Sequence, residues 1–328
     1  TILALYQPCS LFLGYKTSFN GLTACARALP QERAENAIPK IVILLYKWWG
    51  SLKGSLLEDI TMSIRLIVNA DDYGRTAAVS RGVRAAHRAG IVTSTTCMMN
   101  MPSAADDLRA ALEETPGLGL GVHLVLTAGQ PLLPPVQVPS LVALDGAFHR
   151  VEHFLMRLEQ IDAAQAKAEW RAQIEKFVLV TGRSPTHLDS HHHASYLTEA
   201  LLRSMLELAS EYGCGIRQVI AQGSASDLAD LPAGTWADMQ EFSPRLLAEF
   251  HPPMPDVFYA SFYAKSATRE HLLSLISAFA PGSAEIMCHP GYVDNDLLAG
   301  SSYARQREPE LGVLTDPAIR QAIQARGI

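Results

Sequence analysis

The chain has 328 residues, of which 48% are hydrophobic, and a net charge of −6 without a long basic block. These values indicate a globular protein with a large core, and they argue against nucleic acid or an anionic membrane surface as the main partner. The five cysteines have no C-x-x-C spacing, which predicts a protein without a disulfide framework and a cytoplasmic location. No apolar run reaches the roughly 18 residues that span a bilayer, so no transmembrane segment is predicted.

Residues 1–61 differ in pattern from the rest of the chain. Their short apolar run at residues 41–46 has flanking lysines and a following pair of tryptophans, which is also typical of an interfacial anchor. Met62 precedes the first clear strand, and nothing before it has matching periodicity. We therefore expect residues 1–61 to be an N-terminal extension that is disordered or not native, and residues 62–328 to form one domain.

From Met62 onward, apolar strands alternate with amphipathic helices. Strands are predicted at residues 64–70, 91–98, 121–127, 187–193, 215–220, 257–260 and 284–288, with helices at 76–89, 104–114, 152–180, 199–212 and 268–280. A Gly/Pro-rich stretch at 128–150 interrupts the alternation, and we expect it to form a lid or a substrate wall that selects the substrate. The alternation predicts an α/β fold with a mostly parallel sheet, and the length is close to the roughly 250 residues of a (β/α) barrel.

One short segment is unusually rich in histidine. Four of the eleven histidines lie within residues 187–193. If this segment is a strand throughout, His187, Asp189, His191 and His193 face the same side. Imidazoles mixed with a carboxylate are typical of a site for a borderline divalent metal. The alternative is a surface histidine tract, but this run lies inside the chain between a turn signal and a helix.

Other polar side chains recur where predicted strands end. Asp71 and Asp72 follow the first strand, His123 lies in the third, His191 in the histidine-rich one, and His289 follows the last. The carboxyl ends of parallel strands meet at one rim, where active sites of such folds lie. Adjacent carboxylates diverge in a regular strand, so one can bind a metal while the other accepts a proton from metal-bound water.

Five motifs occur in order along the chain. They are Asn-Ala-Asp-Asp-Tyr-Gly at 69–74, Gly-Ile-Val-Thr-Ser-Thr-Thr at 90–96, Gly-Val-His-Leu-Val-Leu-Thr at 121–127, His-Leu-Asp-Ser-His-His-His at 187–193 and Glu-Ile-Met-Cys-His-Pro-Gly-Tyr at 285–292. Together they resemble the YdjC-like carbohydrate deacetylases, of which the chitooligosaccharide deacetylases are the best-defined members. The resemblance covers nearly all of the chain after Met62 and none of residues 1–61.

The resemblance implies a distorted (β/α) barrel with one divalent metal, magnesium or zinc, held by Asp72, His123 and His191. It also implies hydrolysis of the N-acetyl group of an acetylated amino sugar or chitooligosaccharide, with Asp71 as general base and His289 as general acid. The chemistry of a two-His, one-carboxylate set leaves the metal open, since such a set suits zinc, iron, manganese or magnesium.

Further residues are candidates for substrate binding or for support of the ligands. Asp189 is expected to orient an imidazole. Arg217 is expected either to hold a sugar hydroxyl or carboxylate, or to form an ordinary ion pair at the rim. His193 and Tyr73 complete this group. The family often has another histidine where this chain has Ser195, a difference that bears on the outer wall of the site more than on the metal.

Two other functions stay open at this point. The same ligand set occurs in non-haem iron oxygenases, although these give no role to a base and acid such as Asp71 and His289. Alternatively, Ser195 indicates a homologue that binds sugar or metal without cleaving anything. The sequence also leaves the oligomeric state open between a monomer and a homodimer.

Overall fold

The structure is a computed structural model, and it describes residues 63–219 and 234–328. The predicted extension at residues 1–61 and the last residue of the predicted strand at 215–220 lie outside these ranges. From Met62 onward the chain forms one compact unit. In the described part, no helix is both long enough and apolar enough to cross a bilayer.

One parallel sheet carries the site. Its strands in the described ranges are β1 (Ile64–Tyr73), β2 (Ser94–Cys97), β3 (Gly119–Leu124), β4 (His187–Ser190), β5 (Gly215–Ile216), β6 (Val257–Tyr259) and β7 (Gly282–Cys288). They are ordered β5-β4-β3-β2-β1-β7-β6, and the sheet curls into a half-barrel. The predicted α/β fold with a distorted, mostly parallel barrel is confirmed.

Helices cover the sheet and connect its strands. They are α1 (Ala77–Ala89), α2 (Ala104–Glu114), α3 (Val151–Met156), α4 (Ala163–Thr181), α5 (Glu199–Tyr212), α6 (Thr235–Phe250), α7 (Arg269–Ala278), α8 (Asn295–Gly300), α9 (Arg307–Leu314) and α10 (Pro317–Ala325). The single helix predicted over residues 152–180 is two helices, because a 3-10 turn at Leu158–Gln160 separates α3 from α4. The predicted helices do not include α6 or α8 to α10.

Local sequence fixes where several helices begin and end. The side chains of Thr76, Thr198 and Thr268 each accept a hydrogen bond from the backbone three residues later, which satisfies an amide at the helix start. Gly213 ends α5 with a φ of 65°, a left-handed conformation that glycine adopts without steric cost. The core predicted on α4, namely Trp170, Ile174 and Phe177, is fully buried against the sheet.

The histidine-rich segment does not continue as a strand through His193, so that prediction is wrong. β4 ends at Ser190, and a 3-10 segment follows at His191–Tyr196. His192 and His193 have φ values of 52° and 55°, so the backbone is left-handed at both positions. The two-residue alternation therefore stops, and the histidines turn to different surroundings.

The stretch at residues 128–150 is a packed segment. Its Leu132 and Leu133 amides donate to the two carboxylate oxygens of Glu169 on α4, each over 2.9 Å. Val138 and Phe148 from this stretch are buried in the main core. Its expected role as a substrate wall stays a prediction.

Candidate active site

A bend at Asp72 brings two neighbouring carboxylates to the same place. β1 continues past residue 70, but Asp72 has a φ of 68° and the pairing with β2 shifts register between Ala70 and Tyr73. A left-handed residue interrupts the alternation of side chains along a strand. As a result Asp71 and Asp72 each form a group with His123 in which potential ligand atoms lie within 4.8 Å of one another. The strand is not regular at Asp72, so the divergence expected of a regular strand does not apply here.

Asp72, His123 and His191 form the group expected to hold a metal. Oδ1 of Asp72 lies 3.4 Å from Nε2 of His123 and 3.0 Å from Nδ1 of His191. The three residues are only 2%, 2% and 8% exposed. Oδ1 nevertheless has no hydrogen bond of acceptable geometry, and a buried carboxylate oxygen without a partner is costly. A cation between the three side chains removes that cost, so these residues fit a divalent metal.

Asp189 holds the ring of His123. The two residues face each other in the register of β3 and β4, and Nδ1 of His123 lies 2.7 Å from Oδ1 of Asp189. Thr96 donates to the other oxygen of Asp189 over 3.0 Å. Burial lowers the pKa of His123, but Asp189 and the two site carboxylates outweigh it and raise that pKa to about 9. Asp189 thus occupies the orienting position expected of it.

The other histidines of the segment have different surroundings. Burial lowers the pKa of His191 to about 4, so its ring is neutral and can act as a ligand. The ring of His192 lies against that of His191, tilted by 35° and with centroids 3.9 Å apart. His193 lies outside both candidate ligand groups, and its ring is near those of Tyr196 and Phe258.

Asp71 is held by Arg217. Nη1 and Nη2 of the arginine donate to the two oxygens of Asp71 over 2.7 and 2.6 Å, and Asn69 donates to Oδ1 over 2.8 Å. Burial raises the pKa of Asp71, but Arg217, His123 and His289 together bring it well below its usual range. Asp71 is therefore ionised at neutral pH.

Arg217 does not lie at the rim. It is 1% exposed, and besides Asp71 it contacts Glu285 over 2.7 Å and Asp189 over 3.0 Å. The expected position at the rim is therefore wrong, because three carboxylates surround its guanidinium, and the expected contact with a sugar hydroxyl or carboxylate stays a prediction. Three carboxylates carry more negative charge than one arginine neutralises. Burial raises the pKa of Glu285 to about 7. Sequence reasoning missed Glu285, although a lone acid in an apolar strand is a signal.

His289 lies beside Asp71 at the end of β7. Ala70 on β1 pairs with Cys288 on β7, so the next residue along each strand is Asp71 and His289 respectively. Nδ1 of His289 is buried without a hydrogen-bond partner, while its backbone amide donates to Glu310. Burial lowers its pKa to about 4, so the resting ring is neutral at neutral pH.

Tyr73 and Ser195 lie away from the ligands. The hydroxyl of Tyr73 donates to the Asp107 carbonyl over 2.6 Å and accepts from Arg84 over 2.7 Å, between α1 and α2. The bend at Asp72 turns Tyr73 toward the helices, and its expected role in substrate binding or ligand support stays a prediction. Ser195 is fully buried, with its hydroxyl 2.8 Å from that of Ser190, so it forms part of the core at the histidine turn.

Two buried charged residues of α9 also reach the site, and sequence reasoning missed both. Arg307 donates through Nη2 to Oδ2 of Asp72. Glu310 accepts from the amide of His289 and from the hydroxyl of Tyr303. Both residues come after the last recognised motif, on a short helix whose sequence has no distinctive spacing.

Comparison with known proteins identifies relatives of this chain. The family model of YdjC-like protein matches residues 65–325. A carbohydrate deacetylase of Geobacillus stearothermophilus is 38% identical over 263 residues, covering 80% of this chain and 94% of that protein. A chitooligosaccharide deacetylase of Salmonella paratyphi B is 33% identical over 265 residues, covering 80% and 95%.

A solved structure extends the likeness to three dimensions. It is the crystal structure of a protein from Enterococcus faecalis V583 that is provisionally described as a cellobiose-phosphate cleavage protein. Its TM-score is 0.69 at 33% identity, and the match covers 81% of this chain and 96% of that one. The sequence match and the shared fold lead to one conclusion: the chain belongs to the family of YdjC-like proteins.

Proposed function

We propose that this protein is a carbohydrate deacetylase, a hydrolase that removes the N-acetyl group from an acetylated amino sugar or chitooligosaccharide. The observation that carries the proposal is the buried oxygen Oδ1 of Asp72, which lies between two histidine nitrogens and has no hydrogen bond. Asp71 and His289 lie next to this group and supply an ionised carboxylate and a neutral imidazole. Relatives named as carbohydrate and chitooligosaccharide deacetylases support the same activity.

In this proposal Asp72, His123 and His191 hold one divalent metal ion. An amide carbonyl is a poor electrophile, and a bound ion supplies a Lewis acid and a water whose pKa is lowered toward about 7. The donor set suits zinc, and it also suits magnesium with added water ligands. We expect one of these two metals.

Asp71 accepts the proton of the attacking water. Arg217 binds both of its oxygens and keeps its pKa low, so Asp71 is ionised but weakly basic. A weak base of this kind removes a proton only from water whose pKa has been lowered. Asp71 can therefore act as a base only when the neighbouring ligand group holds a metal. Arg217 also fixes the direction of the carboxylate.

His289 delivers a proton to the departing amine. Without that proton the nitrogen would leave as a strongly basic anion. The resting ring is neutral, so in this proposal it takes up the proton that Asp71 removes from the attacking water and passes it to the nitrogen as the carbon–nitrogen bond breaks. A histidine whose pKa is lowered by burial gives up such a proton readily.

Location and assembly stay predictions. Cys97, Cys214 and Cys288 are buried and free, which supports the predicted reducing, cytoplasmic compartment.

Acetate release tests the activity directly. The chelated protein is reloaded with zinc or magnesium and offered N-acetylglucosamine and chitooligosaccharides of increasing length, and free acetate is measured. We expect acetate only with added metal, and with a preference for one chain length. No acetate from any acetylated amino sugar with either metal would refute the proposal. Tight sugar binding without acetate would favour the non-catalytic homologue.

A further inference from the structure

Arg307 is a buried cation in contact with the metal-binding carboxylate. It is 1% exposed, although it is the first residue of α9. Its Nη2 donates to Oδ2 of Asp72, and its Nε donates to the carbonyl of Tyr303 over 2.9 Å. Its Cδ packs against Gly291, where an added Cβ would lie only 3.2 Å away. The guanidinium is therefore held through Nε and Nη2, while its Nη1 is buried without a hydrogen-bond partner.

This contact makes the two oxygens of Asp72 unequal. Oδ2 is occupied by Arg307, whereas Oδ1 has no hydrogen bond and faces His123 and His191. A carboxylate can bind a cation through one oxygen or through both. We propose that Arg307 is a positioning residue that restricts Asp72 to binding the metal through Oδ1 alone. The inference rests on the metal site of the proposed function.

The restriction matters for the chemistry. Catalytic metal sites keep at least one position open, whereas structural sites are closed by protein atoms. A carboxylate bound through both oxygens would take a position that the attacking water or the acyl oxygen of the substrate needs. With Arg307 in place, Asp72 and the two histidines contribute one atom each.

Electrostatics indicate that the role of Arg307 is geometric. A guanidinium beside a divalent cation repels it, so attraction for the metal does not explain its position. Arg307 does compensate the buried charge of Asp72, whose pKa is held below its usual range by His191, Arg307 and His123 against the effect of burial. Its removal should therefore change how Asp72 binds the metal more than how tightly the metal is held.

Cobalt substitution provides the test. The visible bands of protein-bound Co²⁺ lose intensity as the number of ligand atoms rises, so they report the binding mode without any reaction. We expect Arg307→Met to keep cobalt affinity within about tenfold of wild type, to weaken the visible bands, and to lower turnover at least tenfold. Arg307→Gln, whose amide is too short to reach Oδ2, should behave in the same way and serves if the methionine variant does not fold. Arg307→Lys, which still places a donor near Oδ2, should restore the wild-type spectrum.

A matched control separates this role from general stability. Arg84 is also a buried arginine, but its partners are Tyr73 and Glu114 on the helix side of β1. Arg84→Met should lower stability and leave the cobalt spectrum unchanged. An unchanged spectrum in folded Arg307→Met or Arg307→Gln would overturn the inference, and so would complete loss of cobalt binding. If the wild-type protein binds cobalt but releases no acetate from any substrate, the deacetylase proposal fails while the spectra still decide the role of Arg307.

Discussion

His123 on β3 and Asp189 on β4 lie opposite each other in the sheet, and the Nδ1 to Oδ1 distance between them is 2.7 Å. This contact leaves Nε2 of His123 facing Asp72. Backbone register therefore sets the orientation of a proposed metal ligand, and in the proposed site Asp189 acts on the metal through that ring.

Replacing Asp189 should weaken metal binding without removing a ligand. We expect Asp189→Asn to lower zinc affinity about 10–100-fold, the range typical of partners that orient ligand histidines. Competition with a chromophoric chelator measures the affinity. Asp106→Asn, a change of the same kind at an exposed position, should leave it unaltered. Equal affinities in the two variants would contradict the assigned role of Asp189.

Replacing Asp71 distinguishes an enzyme from a binding protein. Asp71→Asn should lower acetate release roughly 10²–10⁴-fold, the contribution typical of a general base. Metal affinity should change little, because Asp72, His123 and His191 are all retained. Parallel measurement of acetate and of bound metal checks this. If the metal is lost as well, Asp71 is itself a ligand, as its membership of the second candidate group with His123 and Asp189 allows.

Much of the fold and the location of the site were predictable from the sequence. Strand and helix periodicity depends on local side chains, so α2 was predicted with its observed bounds. The collection of His123 and His289 at one rim follows from parallel strands alone. The burial of Arg217 was not predictable, because it depends on carboxylates of β1, β4 and β7 that come together only in the folded structure.

Backbone conformation explains the remaining errors. The left-handed residues Asp72, His192 and His193 interrupt regular alternation, and none of them is a glycine that would mark such a conformation in the sequence. The direction of Tyr73 toward the helices and the end of the histidine-rich strand at Ser190 both follow from these residues. Arg307 was missed because its partner Asp72 is distant along the chain.

Glu285 should make stability depend on pH. Burial raises its pKa from 4.5 to about 7 in the folded chain. A carboxyl with a raised folded-state pKa contributes stability that is fully present below the unfolded pKa and is lost as the pH rises through the folded pKa. Glu285→Gln cannot ionise, so its unfolding free energy relative to wild type should rise between about pH 5 and about pH 8.

Urea denaturation of metal-free protein at both pH values measures this difference. Glu113→Gln removes the same charge from an exposed helix position and serves as the control. An identical difference from wild type at both pH values for Glu285→Gln would contradict the prediction.

Two helical glycines should respond oppositely to alanine. A Cβ on Gly82 in α1 would lie 2.5 Å from Cα of Gly291 and 2.8 Å from the amide of Tyr292, in the turn that follows His289. We expect Gly82→Ala to destabilise the protein by about 1–3 kcal/mol and to reduce turnover by moving His289. A Cβ on Gly312 in α9 would meet no atom within 4 Å, so Gly312→Ala should stabilise by about 0.5–1 kcal/mol. Urea denaturation checks both, and effects of the same sign would refute this reading of the packing.

The left-handed backbone at Asp72 affects how this site can diverge in evolution. Asp71 and Asp72 are consecutive in the chain and have different proposed roles. Inserting or deleting one residue there would place a different side chain at each of the two positions. Asparagine tolerates the same backbone conformation, and a branched residue does not. A single replacement at Asp72 can therefore remove the activity and leave the fold intact. An insertion or deletion at this point would disrupt both the activity and the fold.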